Sequence, residues 1–189
     1  MLWLVLGLVI FLGIHSVRIV APEARGSFIA QRGEGAWRGL YSLLSLVGFV
    51  LIIWGYGVAR QDPVILYSPP VWTRHIALLL MLFSFIALMV YAFPAGRLKP
   101  ALKHPMLLSV KIWALAHLLA NGDLPSLVLF LAFLLWAVAD RVAAKRRGAA
   151  VPAPGPAKWD AAALVSGIVL YLLFLWKLHQ WLIGVSPLA

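Results

Sequence analysis

Long apolar runs, broken by short polar or proline-rich stretches, set the pattern of this chain. The first covers Leu2 to Ile14 and continues through His15-Ser16-Val17-Arg18 to Ala21. Others span about 39–58, 73–93, 104–121, 124–142 and 160–183. Each is near the roughly 20 residues that cross the hydrocarbon core of a bilayer. The pattern predicts an all-α integral membrane protein, a bundle of about six transmembrane helices. A cleaved signal peptide would carry basic residues ahead of its apolar run. None precedes this one, and Arg18 follows it, as at the inner end of a retained helix.

The breaks are as informative as the runs. Pro22 to Arg38 reads as a loop or amphipathic segment, with Arg25, Arg32 and Arg38 set among Glu23 and Glu34. Asp62-Pro63 and Pro69-Pro70 separate the second and third helices, flanked by Tyr67 and Trp72 as interfacial aromatics. The third helix ends at Pro94-Ala95-Gly96. The fourth opens on His104-Pro105, a proline where the missing N–H has no intrahelical partner. It closes on Asn121-Gly122. Asp123 then reads as the N-cap of the fifth helix, with Pro125 in its first turn, so helices four and five form a tight hairpin. Residues 148–158 hold Pro152, Pro154 and Pro156 and read as a semi-extended linker to the sixth helix. Gly7, Gly13, Gly48 and Gly167 are read as packing residues between helices.

Composition removes the soluble alternative. Of the 189 residues 63% are hydrophobic and only 12% charged, against about a quarter charged in soluble domains. The net charge of +10 would suggest nucleic acid, but its distribution points to the bilayer instead. The loops after helices one, three and five carry four, three and five Lys or Arg; the loop after helix two carries two and that after helix four none. The positive-inside rule then puts these three loops in the cytoplasm and both termini outside. No cysteine is present, so disulfides, iron–sulfur clusters and thiol catalysis are excluded. A metal site would be built from His, Met and the six acidic residues.

Ionisable groups inside apolar runs are functional candidates, because a Lys at mid-membrane costs about 2.5–3.5 kcal/mol on insertion scales. The stretch Lys103 to Asp123 concentrates them: His104, Lys111 and His117 lie on one helix. His104 and Lys111, seven residues apart, share a face; Met106, Trp113 and His117 share another. His15 lies inside the first run. Histidines on separate helices suit a metal or a haem iron held between them. His75 and His179, near helix ends, are assigned to the interface or to interhelical hydrogen bonds. Lys111 suits a carboxylate partner, either a haem propionate or a substrate acid, and Arg18 and Arg38 are read as ordinary basic loop residues.

These residues carry a resemblance. His15-Ser16, Gly35-Ala36-Trp37-Arg38-Gly39-Leu40-Tyr41, Arg74-His75, and His104-Pro105-Met106 through Trp113-Ala114-Leu115-Ala116-His117 to Asp123 resemble the NnrU family. The resemblance covers residues 1–147 as a five-helix core, leaving the linker and residues 159–189 as a sixth helix and tail. It implies a bacterial inner-membrane protein tied to denitrification and nitrogen-oxide metabolism. The family is similar to 15-cis-zeta-carotene isomerase, a haem b enzyme whose histidine ligands correspond to His15 and His117. A haem-dependent, isomerase-like activity is one implied role, with redox and sensing roles beside it. The cysteine that the isomerase carries three residues before its later histidine is Ala114 here. The resemblance thus implies His15 and His117 as metal ligands, with His104 and Lys111 as further cofactor-binding residues and no catalytic residue assigned. It also allows a non-enzymatic accessory role beside nitrite or nitric oxide reductases. Lys103-His104-Pro105 weakly resembles the Arg-His-Pro motif of membrane methyltransferases that use S-adenosylmethionine, without their Tyr and Gly.

Overall fold

A computed structural model describes residues 1–188. The helices are α1 (Leu2–Val20), α2 (Pro22–Ala59), α3 (Val71–Ala92), α4 (Leu98–Leu102), α5 (Pro105–Ala120), α6 (Leu124–Arg146) and α7 (Lys158–Leu173). The last continues through a π-helical turn, Phe174–Leu178, into α8 (His179–Ile183). The protein is all-α, and its only strand-like feature among the described residues is the isolated bridge between Ile65 and Asp123. Five helices are long and apolar enough to span a membrane: α1, α2, α3, α6 and the continuous 158–183 segment. The chain is therefore a multi-pass membrane protein. Large apolar side chains such as Leu135, Val165 and Trp176 stay exposed, as lipid-facing residues do.

The expected fourth span differs. α5 has 16 residues, about 24 Å of helix, short of the roughly 30 Å hydrocarbon core. Its start is set by Lys103, which takes a positive φ of 61° and ends α4. The segment 22–38, expected as a loop or amphipathic stretch, is helical. It joins the second span through a kink at Gly33, whose φ of 83° and ψ of 159° suit only glycine. Aromatic and basic side chains pack around that kink. Phe28 meets Trp37 with ring centres 5.8 Å apart, Arg25 lies over Trp37 and Arg32 over Phe28.

Packing gathers the chain into two compact units that interleave in sequence: residues 1–68 with 121–143, and 69–120 with residues from 144 onward. The sequence reading instead divides the chain end to end. Helices four and five, expected as a hairpin, belong to different units.

In the first unit α1 and α2 touch backbone to backbone at glycines. A Cβ on Gly48 would stand 2.7 Å from the Phe11 nitrogen, and one on Gly7 2.6 Å from the Ile52 nitrogen. Gly55 meets the backbone of Trp3 and Leu4 just as closely, a contact the sequence reading missed. A Cβ added at Gly13 would meet nothing within 4 Å beyond its own helix, so its expected packing role is not borne out. α6 starts as expected: the Asp123 carboxylate accepts the Ser126 N–H at 2.9 Å and the Ser126 hydroxyl at 2.8 Å. Ser126 also meets the Tyr56 hydroxyl at 2.8 Å. The loop 64–67 is laced to this turn, with the N–H groups of Leu66 and Tyr67 donating to the Gly122 carbonyl.

In the second unit α3 packs on α5 and α7. The buried Ser84 hydroxyl donates to the Ser109 carbonyl at 3.0 Å, and Gly167 lets α7 approach Ile86. The proline-rich linker is pinned at Gly155, whose N–H donates to the Gly96 carbonyl at 3.0 Å. Asp160, on the first turn of α7, accepts the N–H groups of Arg97 and Leu98 at 2.8 and 3.0 Å. Its carboxylate thus caps the N-terminus of α4, where the helix dipole favours an anion.

Three outcomes follow from these contacts. Gly48→Ala should destabilise the protein by about 1–3 kcal/mol, because the Cβ overlaps backbone that has no rotamer to move. Gly13→Ala should be neutral within about 0.5 kcal/mol. Unfolding with sodium dodecyl sulfate in mixed micelles checks both, and equal effects would refute the packing argument. Asp160→Ala should cost about 1–2 kcal/mol by leaving two backbone donors uncapped; amide exchange at Arg97 and Leu98 reads this directly.

Candidate functional site

The five histidines divide between the units. His15 lies in the first, while His75, His104, His117 and His179 lie in the second, together with Lys111. The two histidines singled out as ligands are therefore in different units. Among the described residues no three His, Asp or Glu gather as a metal cluster.

His15 sits on the last turns of α1, where its own helix fixes its ring. Nδ1 lies 2.6 Å from the Phe11 carbonyl, one turn back. A carbonyl oxygen only accepts, so the proton is on Nδ1 and the lone pair is on Nε2. The ring stacks on Phe11, with centres 4.2 Å apart, and lies 5.0 Å from Tyr41 and 6.0 Å from Trp136. The Gly48 contact holds Phe11 and therefore bears on the ring it supports. Two buried polar atoms in this unit lack a hydrogen-bond partner: Trp136 Nε1, and Ser45 Oγ one helical turn beyond Tyr41. Sequence alone gave no signal for either.

His117 repeats the arrangement in the second unit. Nδ1 donates to the Trp113 carbonyl at 2.8 Å, again one turn back, so Nε2 carries the lone pair. The Trp113 ring lies 5.4 Å away, in line with the shared face expected of these residues. The ring of His179 also stands beside it, with centres 6.4 Å apart and 21° between the planes. The sequence reading had grouped His179 with the helix-end histidines. A π-helical turn, which a hydrophobic pattern does not reveal, precedes it, and its Nδ1 donates to the Val185 carbonyl at 2.7 Å.

The remaining candidates are dispersed. Lys111 is half-buried on α5, and among the described residues no side chain or carbonyl accepts from its Nζ. His104 precedes α5 and its carbonyl takes the first helical hydrogen bond, from Leu108. His75 is exposed near the start of α3. Arg38 pairs with Glu34 at 2.8 Å on an exposed helix face, a contact worth only a few tenths of a kcal/mol. Asp123 is fully engaged as a cap.

No curated protein and no solved structure matches the chain. The NnrU protein family matches residues 3–187, which takes in the linker and the last helix as well as the five-helix core to which the resemblance was first confined. Matched over residues 3–187, this membrane protein belongs to the NnrU family.

Proposed function

We propose that the protein binds haem b through histidine in the bacterial inner membrane and serves nitrogen-oxide metabolism in a redox, sensing or isomerase-like role. The observation that carries this reading is the shared state of His15 and His117. Each donates Nδ1–H to the carbonyl four residues back, which leaves Nε2 as the nitrogen with a lone pair. Histidines that ligate metals commonly hold the other ring nitrogen to a carbonyl in this way, which fixes tautomer and orientation and raises ligand basicity. Neutral imidazole is also a common axial ligand of haem iron.

The surroundings fit such a group. Next to His15 the aromatic rings of Phe11, Tyr41 and Trp136 supply apolar contact of the kind a flat macrocycle needs. The unpartnered Trp136 Nε1 and Ser45 Oγ are donors that suit acceptor oxygens. In the second unit, on the same helix as His117, Lys111 separately offers a cation matched in charge to a propionate. When bound, haem supplies an iron centre able to exchange one electron or bind a small diatomic ligand. The protein's own part is to present neutral imidazoles, keep water away and balance carboxylate charge. His117 is the primary ligand in this reading and His15 the second candidate.

Titration of the detergent-purified protein with haemin tests it. A Soret band with low-spin visible bands is expected, and His117→Ala should abolish it or convert it to a high-spin form. A wild-type protein without a Soret band, or a band indifferent to both His117→Ala and His15→Ala, would sink the reading.

A further inference from the structure

Charge divides unevenly between the two units. The residues of the second carry ten Lys and Arg, yet Asp160 is their only acidic side chain. That carboxylate is taken by backbone. One oxygen accepts the Arg97 N–H and the other the Leu98 N–H, in the space that Gly96 leaves beside it. No acidic side chain of the unit then remains to pair with its cations.

Three of those cations, Arg97, Lys99 and Lys158, stand at one rim, where the end of α3, the short α4 and the start of α7 meet. Lys99 is fixed there. Its Nζ donates to the Tyr91 and Phe93 carbonyls at the end of α3 and lies 5.8 Å from the centre of the Tyr91 ring. An ammonium has three donors, so one is left for an outside acceptor. Lys158 Nζ lies 5.2 Å from the centre of the Trp159 ring, and that ring lies 6.3 Å from Phe93. The side chains of Arg97 and Lys158 are exposed. Aromatic rings and cations interleaved at the end of a span mark the headgroup level of a bilayer, and the positive-inside rule puts this rim on the cytoplasmic side. Deeper along α7, Val165, Val169 and Leu172 are exposed on the helix face that Lys158 begins.

We propose that Arg97, Lys99 and Lys158 bind the phosphate of an anionic phospholipid, seated at this rim with its acyl chains along the exposed face of α7. Charge complementarity selects the occupant. The unit supplies cations with no acid to match them, and the bilayer supplies anions at the same depth. Basic clusters at the cytoplasmic ends of spanning helices attract acidic headgroups, each Lys or Arg adding about fivefold in affinity. A zwitterionic lipid brings the same phosphate with a cation attached, which the rim repels. Free phosphate brings the charge and leaves the apolar face uncovered.

Native mass spectrometry of the full-length protein in detergent, titrated with phosphatidylglycerol or phosphatidylcholine, tests the site. Phosphatidylglycerol should bind about tenfold tighter, and high salt should weaken it. Arg97→Gln and Lys158→Gln should each weaken phosphatidylglycerol about fivefold and leave phosphatidylcholine unchanged. Lys158→Arg keeps the charge and should bind as the wild type does. Lys177→Gln removes a cation of the same unit beyond the far end of α7 and should change nothing. Lys99→Gln also removes the cap on α3, so the two exposed positions carry the test, with unchanged thermal unfolding as proof of a folded protein. Equal affinity for the two lipids overturns the proposal. So does a loss in Lys177→Gln as large as that in Lys158→Gln, which marks a diffuse field in place of a site. If inorganic phosphate displaces the lipid at equal concentration, or polyglutamate binds at these residues and phosphatidylglycerol does not, the rim takes a soluble anion or an acidic polypeptide and the lipid assignment falls.

Discussion

Inside a bilayer no water satisfies a backbone donor or a polar side chain, and this constraint organises the molecule. It makes the chain helical, since only helices close their own hydrogen bonds within one segment. It also decides what polar residues within those helices do first. His15, Ser16 and His117 each turn to a carbonyl four residues back on their own helix. For a serine that bond ends the matter. For a histidine it occupies one nitrogen and fixes the lone pair on the other, so satisfying the membrane and preparing a ligand are one event.

The helices are held close by absences of side chain. At Gly48, Gly7 and Gly55 the backbones of α1 and α2 meet with no room for a Cβ. Such contacts suit lipid, where apolar side chains gain little by leaving the solvent and van der Waals packing does more of the work. The placement of Gly48 against Phe11 links this packing to chemistry, because Phe11 provides both the carbonyl and the stacking ring for His15. A packing residue on α2 thus abuts the residue that supports a candidate ligand on α1.

Much of this was legible in the sequence because it depends on local rules. Apolar run length gave the long helices, Asp123 with Pro125 gave the start of α6, and the four-residue spacing of Trp113 and His117 gave their shared face. What escaped depends on contacts distant in sequence or on backbone irregularity. The helix over 22–32 has charges enough to read as a loop, and only the bend at Gly33 reconciles it with the span that follows. α4 owes its cap to Asp160, more than sixty residues later in the chain. The proximity of His117 and His179 comes from packing within the second unit, which leaves no periodic signature.

The disposition of the acids bears on what chemistry remains. There are six Asp and Glu in the whole chain. Asp123 and Asp160 are committed to backbone caps, and Glu34 to an exposed pair with Arg38. Glu23 and Asp62 are exposed, outside the apolar runs. The sixth, Asp140, is half-buried on α6 and engaged in a contact of its own, so no two carboxylates within the apolar runs are left to pair for acid–base work, and there is no thiol. The groups in apolar helices with a lone pair fixed by their surroundings are imidazoles: His15 in one unit, His117 and His179 in the other. An imidazole whose second nitrogen is already committed to a carbonyl is poorly placed to relay protons, since it would have to break that bond. It is well placed to hold a metal, since the same bond strengthens the donor. The same bond leaves Nε2 able to take and return a proton, so what it bars is transfer through both nitrogens of one ring.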